Sequence, residues 1–368
     1  ADITKVYYYV QENSSPDNKA YGEYTIPTNS TGHTPVVDIT SLVETVQKNI
    51  DNITIVIYRL DIRLSESVRS LYKDFSISAN VVFGGGNGTS GSPFIISCNR
   101  HFENLGLSKS RNNYFKINKH LELEGNMVET FKGVIDNNKT VSLSWTPKDE
   151  EEMGIIINNE GTIRNLQVHI NYNFNLSGMF SHTVGGIVCY NKNGGIIENC
   201  SVTSMTADKF NFICVAGGIA GVNYGTIRDC WATADVTTYG TFGVITGINY
   251  GTITDCVGSG NITQKMTKYE GEYELSYVGG IAGINKSGGK ISDCIGGSRD
   301  DSYLRVVIDV DYVDDEDLAP YSGPIAGLNE GAIEDCSNNR YSIDTGNLHH
   351  WWVWITKFDQ LRNINNTI

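Results

Sequence analysis

The sequence predicts an all-β protein: a right-handed parallel β-helix with a short N-terminal helical cap and a C-terminal aromatic cap. Three observations lead there. A glycine-rich segment recurs six times, its apolar residues fall into fixed columns, and its insertions collect at one place in the repeat. Stacked-coil folds grow in one dimension, so 368 residues fit one such body, whereas ordinary length priors would suggest two or three domains.

The copies justify the repeat. One reads GGIAGVNYGTIRDC, from Gly217 to Cys230, and the next GVITGINYGTITDC, from Gly243 to Cys256. Then follow GGIAGINKSGGKISDC (Gly279 to Cys294) and GPIAGLNEGAIEDC (Gly323 to Cys336). Upstream stand GGIVCYNKNGGIIENC (Gly185 to Cys200) and a degenerate copy, GIIINNEGTIRNL (Gly154 to Leu166). Anchored on Ile163, Ile197, Ile227, Ile253, Ile291 and Ile333, the spacings are 34, 30, 26, 38 and 42 residues. The shortest is close to one β-helix coil. The longer ones carry insertions between the Cys and the next Gly-Gly, which a solenoid tolerates at one corner.

The columns follow from stacking. Like side chains in successive coils lie about 4.8 Å apart, so Ile219, Ile245, Ile281 and Ile325 are expected to form an interior ladder. The Asn-x-Gly step, as in Asn223-Tyr224-Gly225, offers residues that tolerate positive φ at a sharp corner. Small residues at Ala220, Gly221, Ala282 and Gly283 suit a tight turn of the backbone. Past each Cys, alternation sends Cys230, Ala232, Ala234 and Val236 inward, and Trp231, Thr233 and Asp235 outward. A helix is excluded, because Gly recurs in every segment and no 3.6-residue stripe spans it.

Cys200, Cys230, Cys256, Cys294 and Cys336 share one column, and a row of small buried thiols is the expectation, with a disulfide pair or a metal site as the alternatives. A zinc site would want clusters such as paired CxxC motifs, which the sequence lacks. Cys189 takes the place of Gly221 in its copy and reads as packing. Asp229, Asp255, Asp293 and Asp335 precede the cysteines, with Asn165 and Asn199 in the same place upstream. They read as corner hydrogen bonders rather than a catalytic dyad.

These copies resemble the GLUG-type repeat of bacterial extracellular and surface proteins, over roughly Gly154 to Cys336. Just upstream, ETFKGVIDNNKTVSL (Glu129 to Leu143) is similar to a segment that often precedes such repeats, with Asn137 where Gly is usual. The resemblance implies a β-helical surface protein, of a kind common in Bacteroidetes-like gut bacteria, for which adhesion or glycan contact is commonly proposed. It transfers no catalytic residues.

The ends call for caps, since open coil edges invite aggregation. VVDITSLVETVQKNIDN, from Val36, reads as a short amphipathic helix with Asp38 or Thr40 as N-cap. ITIVIYRLDIRL, from Ile53, alternates like a strand pair, and FGGGNGTSGSP, from Phe83, reads as a turn lacking the Gly-Lys-Ser/Thr of a phosphate loop. The expected organisation is 1–35 as strands or a linker, 36–348 as β-helix, and 349–368 as cap.

Net charge of −14 disfavours nucleic acid and anionic membranes as partners. No run of 18 apolar residues exists to form a transmembrane helix. The start at Ala1 without a basic, apolar leader is what a trimmed secreted chain would show. The Asn-x-Ser/Thr sequons, from Asn13 to Asn365, are what an Asn- and Thr-rich chain generates by chance.

Candidate binding residues sit where the repeat is broken. They are Tyr269, Tyr273 and Tyr277 in the insertion KMTKYEGEYELSY, and Trp351, Trp352 and Trp354 near the C-terminus. The tryptophans suit either a sugar-stacking platform or a plug over the last coil. Asp309, Asp311, Asp314, Asp315 and Asp317, in the longest insertion, form an oxygen-rich run that suits Ca²⁺ or simply a solvated loop. No HExxH or GxSxG motif occurs. The leading function is a non-enzymatic secreted or cell-surface protein that binds host or environmental glycans or surface proteins. A polysaccharide lyase or hydrolase is the first alternative, and a structural subunit that self-assembles through its ends is the second.

Overall fold

The structure is a computed structural model. It describes residues 2–12, 15–25, 53–64, 67–78, 83–108, 110–137, 141–171, 173–176, 181–211, 213–269, 272–297, 303–308, 321–339, 341–344 and 354–355. The chain divides into two compact units, residues 1–116 and 117–368.

The first unit is built on an antiparallel sheet. Its strands are β1 (Asp2–Glu12), β2 (Ser15–Thr25), β3 (Ile53–Leu64) and β4 (Ser67–Ser78), in the order β2-β1-β3-β4. The alternation in KVYYYV buries Tyr8 and Val10 on one face of β1, with the buried Ala20 opposite Val10, while the buried Val56 lies opposite Tyr9. On β1, Lys5 pairs with Glu23 at 2.7 Å, and Tyr9 meets Tyr21 with ring centroids 5.5 Å apart. Further along, Phe83, Phe94 and Phe115 form a buried aromatic cluster with centroids 4.8–5.6 Å apart. The β-helix expected from residue 36 therefore begins later. ITIVIYRLDIRL is one long strand, β3, paired with β1 and β4. Its period-2 pattern is the same for either partner, and only the pairing distinguishes them. The helix expected from Val36 lies outside the described residues.

The second unit is a parallel β-helix. Each full coil holds four strands, as in Val215–Gly217, Ala220–Asn223, Thr226–Arg228 and Trp231–Thr238. Each strand pairs in parallel with its counterpart in the next coil, in register: Ala216 with Phe242, Val222 with Ile248, Ile227 with Ile253, and Ala232 with Gly258. Four sheets result. The first runs from Glu152–Met153 to Trp354–Ile355, and the second from Val128–Phe131 to Ala326–Asn329, each with seven strands. The insertion after Gln264 forms a small antiparallel hairpin, Thr267–Tyr269 with Glu272–Glu274, between the fourth strand of one coil and the first of the next.

The interior is a set of ladders. Ile163, Ile197, Ile227, Ile253 and Ile291 are fully buried, as are Ile219, Ile245 and Ile281. A third ladder is aromatic: Trp145, Phe174, Phe210 and Phe242 stack through successive coils at 5.4–6.5 Å. The strand Trp231–Thr238 alternates as expected, with Ala232, Ala234 and Val236 buried. All eight cysteines are free, and those of the Cys column are buried. The thiols of Cys200, Cys230, Cys256 and Cys294 donate to the carbonyl two residues back, as from Cys230 Sγ to Arg228 O at 3.1 Å.

Two corner expectations change. In the three-residue corners the positive φ falls not on the Asn-x-Gly step but on the residue before each column Cys, or before Leu166 in the first copy: Asn165, Asn199, Asp229, Asp255, Asp293 and Asp335 have φ between 48° and 60°, while the two longer corners also take positive φ at Gly194 and Gly288. Asn and Asp enter the left-handed region at lower cost than other side chains, so backbone shape selects them. Side-chain hydrogen bonding adds to this at some members, as where Asn199 Nδ2 donates to Asn165 Oδ1 at 2.6 Å and Thr254 Oγ1 to Asp255 Oδ2 at 3.3 Å. Gly225 is needed instead for close approach, because a Cβ there would lie 2.2 Å from the carbonyl oxygen of Gly195. The Asn of the same step forms its own ladder. Asn159, Asn191, Asn223, Asn249 and Asn285 each donate from Nδ2 to the Oδ1 of the next ladder Asn at 2.8 Å, ending on Asn329 Oδ1.

Candidate functional site

The asparagine ladder sets up the surface beside it. The residue after each ladder Asn donates its backbone N–H to the ladder Asn or its equivalent in the preceding coil: Glu160 to Phe131, Lys192 to Asn159, Tyr224 to Asn191, Tyr250 to Asn223, Lys286 to Asn249 and Glu330 to Asn285, at 2.7–2.9 Å. These residues therefore stack along one outer corner of the coils.

Two tyrosines stand at the middle of this corner. The rings of Tyr224 and Tyr250 are stacked at 4.9 Å with planes 7° apart, and the two residues are 43% and 40% exposed. Burial against its neighbour raises the Tyr224 hydroxyl above the ordinary tyrosine range. The coils on either side have longer corners. Asn191-Lys192-Asn193-Gly194-Gly195 and Asn285-Lys286-Ser287-Gly288-Gly289 replace the three-residue Asn-Tyr-Gly step. Each is closed by a turn, from Gly195 N–H to Lys192 O and from Gly289 N–H to Lys286 O, both 2.8 Å.

An open depression of about 610 Å³ lies on the Lys192 side of the tyrosine pair, lined by Thr130, Asn158, Glu160, Lys192, Asn193 and Tyr224. Its charges are ordered. Glu160 is held by Lys132 at 3.0 Å, and Asn158 Nδ2 donates to Glu129 Oε1 at 3.2 Å. The Lys192 ammonium lies 4.2 Å from the centroid of the Tyr190 ring. Burial pushes the Tyr190 hydroxyl up to about 12, with Thr183 and Glu152 beside it. Amides, a carboxylate, an ammonium and an aromatic face can together meet hydroxyls and an apolar ring edge.

A second aromatic column runs along the outer side of the first sheet. Tyr277 and Tyr321 stack at 5.2 Å with planes 26° apart, and both are half-buried. The next residue in register is Trp354, whose strand pairs with Tyr321–Ser322. Burial raises the Tyr277 hydroxyl, with further contributions from Tyr321 and the nearby Glu330 carboxylate.

The sequence-derived candidates thus separate. Tyr277 and Trp354 occupy one column, joined by Tyr321, which sequence reasoning missed. Tyr269 and Tyr273 lie on the two strands of the hairpin but are not cross-strand partners: Tyr269 is opposite Glu272, and Tyr273 opposite Lys268. Trp351, Trp352, Asp309, Asp311, Asp314, Asp315 and Asp317 lie outside the described residues. Among the described residues, no group of three His, Cys, Asp or Glu is placed to hold a metal ion. Tyr224 and Tyr250 were also missed as a site. Their signal was present, since both fill the x of Asn-x-Gly in consecutive copies.

The coil that opens this corner also carries the recognisable repeat. Residues 180–207 match the GLUG motif. The GLUG match spans the strands Thr183–Gly185, Val188–Asn191 and Ile196–Glu198 and the start of Ser201–Phe210, which is one turn of the β-helix. Lys192 and Asn193 therefore belong to the GLUG coil itself. Among solved structures, the chain is similar to one described as a "putative immunoglobulin A1 protease" from Bacteroides ovatus, with 18% identity over 72% of this chain and 80% of that one and a TM-score of 0.45. No curated protein matches the chain. Among the described residues, no helix is long and apolar enough to cross a membrane.

Proposed function

We propose that this is a non-enzymatic glycan-binding protein of the cell surface or extracellular space, and that it engages sugar at the corner marked by Tyr224. The observation that carries the reading is the exposed Tyr224–Tyr250 stack bordering a depression lined with amide and charged groups. Sugar rings present C–H edges to aromatic faces and hydroxyls to amides and carboxylates. A rigid stack of strands holds such groups with little ordering cost on binding.

The carboxylate in the depression supports binding over hydrolysis. Glu160 is ion-paired to Lys132, whereas glycoside hydrolysis commonly uses two carboxyl groups across a scissile bond. The extracellular setting is supported by the GLUG motif and by the resemblance that it extends.

The test is an array of immobilised glycans run beside a reducing-end assay. Binding of defined glycans, with no new reducing ends and with loss of binding in Tyr224→Ala, is the expected result. Release of reducing ends by the protein would overturn the non-enzymatic reading. Binding unchanged in Tyr224→Ala would move the site elsewhere.

A further inference from the structure

We infer that the depression beside Tyr224 selects acidic glycans, with Lys192 pairing a sugar carboxylate while the ring rests on the outer face of Tyr224. This rests on the glycan-binding reading above and names the class of sugar.

The argument starts from charge pairing along the corner column. Lys132 and Glu160 form one ion pair, and Lys286 and Glu330 form another at 3.2 Å. Between the pairs stand Lys192, Tyr224 and Tyr250. The other carboxylates near the depression are also engaged: Glu129 by the Asn158 amide, and Glu152 by the Tyr190 hydroxyl. Lys192 is left with an aromatic neighbour, the Tyr190 ring, and no carboxylate within ion-pair distance among the described residues. An ammonium held over a ring keeps its charge and its donors available to a ligand.

The asymmetry between the two ends of the tyrosine stack sharpens this. Each tyrosine has a lysine-bearing long corner next to it, Lys192 beyond Tyr224 and Lys286 beyond Tyr250. Among the described residues Lys286 has its carboxylate, Glu330, whereas Lys192 at the Tyr224 end has none within ion-pair distance, and that is where the depression lies. The net charge of −14 does not oppose an anion here. The Debye length is about 8 Å at physiological salt, so distant surface charge is screened and contacts within the depression decide. Asn193 and Thr130 supply neutral donors and acceptors for the remaining hydroxyls.

The experiment compares binding of uronate- and sialate-bearing oligosaccharides with their carboxyl-reduced counterparts and with neutral and sulfated ones. The purified chain and its Lys192→Ala, Lys192→Arg and Tyr224→Ala variants are used, with circular dichroism to verify that each variant is folded. Expected are binding of carboxylate-bearing glycans and its loss on carboxyl reduction. Lys192→Ala should weaken that binding roughly tenfold or more, as for a lost charge-assisted hydrogen bond, while Lys192→Arg retains most of it. Binding of neutral glycans alone, or acidic binding indifferent to Lys192→Ala, overturns the acidic selectivity and leaves glycan binding intact. Selective binding of sulfated over carboxylated glycans overturns the carboxylate assignment. Binding of no glycan of any class overturns both readings together.

Discussion

Asn223 donates from Nδ2 to Asn249 Oδ1 at 2.8 Å, and its own Oδ1 accepts from Asn191 at the same distance. Both groups are out of contact with solvent. The same Oδ1 also accepts the Gly225 N–H at 3.2 Å. One side chain thus links three coils and fixes the corner on which Tyr224 stands.

Asn223→Ala should destabilise the β-helix by roughly 1–3 kcal/mol, the cost of leaving buried polar groups unmatched. Asn223→Asp should cost more, because a carboxylate oxygen would replace the donor facing Asn249 Oδ1. Urea unfolding followed by circular dichroism measures both, and an Asp variant as stable as wild type would refute the ladder's role.

At Asp229, φ is 53°. Asp229→Val should lose on the order of 1–3 kcal/mol through strain in the left-handed region, whereas Asp229→Gly and Asp229→Asn should stay close to wild type. Thermal melts of the three variants give the comparison. If Asp229→Gly were as harmful as Asp229→Val, the carboxylate and not the backbone would be the requirement.

Gly225→Ala should be as damaging as an overpacked core position, about 1–3 kcal/mol, since the new methyl would meet the fixed Gly195 carbonyl at 2.2 Å. Gly288→Ala differs: nothing lies within 4 Å of its Cβ, and the cost there comes from φ of 87° alone. Paired denaturation curves should rank Gly225→Ala as the more harmful change.

Burial raises the thiols of Cys189 and Cys214 above their ordinary value of 9.0. Their folded forms then stay neutral where the unfolded forms ionise. The unfolded state binds fewer protons above pH 9, so stability is fully present below that pH and falls as pH rises beyond it, by up to about 1.4 kcal/mol per thiol per pH unit. Urea midpoints at pH 8 and pH 10 test this, and Cys189→Ala with Cys214→Ala should flatten the dependence. Thiol-specific reagents should react with the partly exposed Cys98 in the folded chain, slowly with the seven buried cysteines, and readily with all eight once it is unfolded.

Much of the scaffold was legible in the sequence because a solenoid repeats its environment. Each Ile, Cys and Asn of the copies meets its own kind in the next coil, so identity at a fixed place reports a column directly. Local chemistry was harder to assign. The copies marked Asp229 as a corner residue, but its backbone conformation was not written in them. The N-terminal strands were visible as strands, but the partner of Ile53–Leu64 was not, because alternation is the same in a hairpin sheet and in a coil.

The sequence by itself determined the parallel β-helix, the inward ladders, the place of the longest insertions and the buried Cys column, since each follows from periodicity and residue size. Only the tertiary structure decided the surface. It stacked Tyr224 on Tyr250, set Tyr321 between Tyr277 and Trp354 in register, paired Lys132 with Glu160, and left Lys192 over Tyr190 with no carboxylate in ion-pair distance among the described residues. Except for the contact of Lys192 with Tyr190, those relations join residues one coil apart, at distances in sequence set by insertions of unequal length. Side-chain contacts between coils depend on register and corner length, which the linear order does not contain.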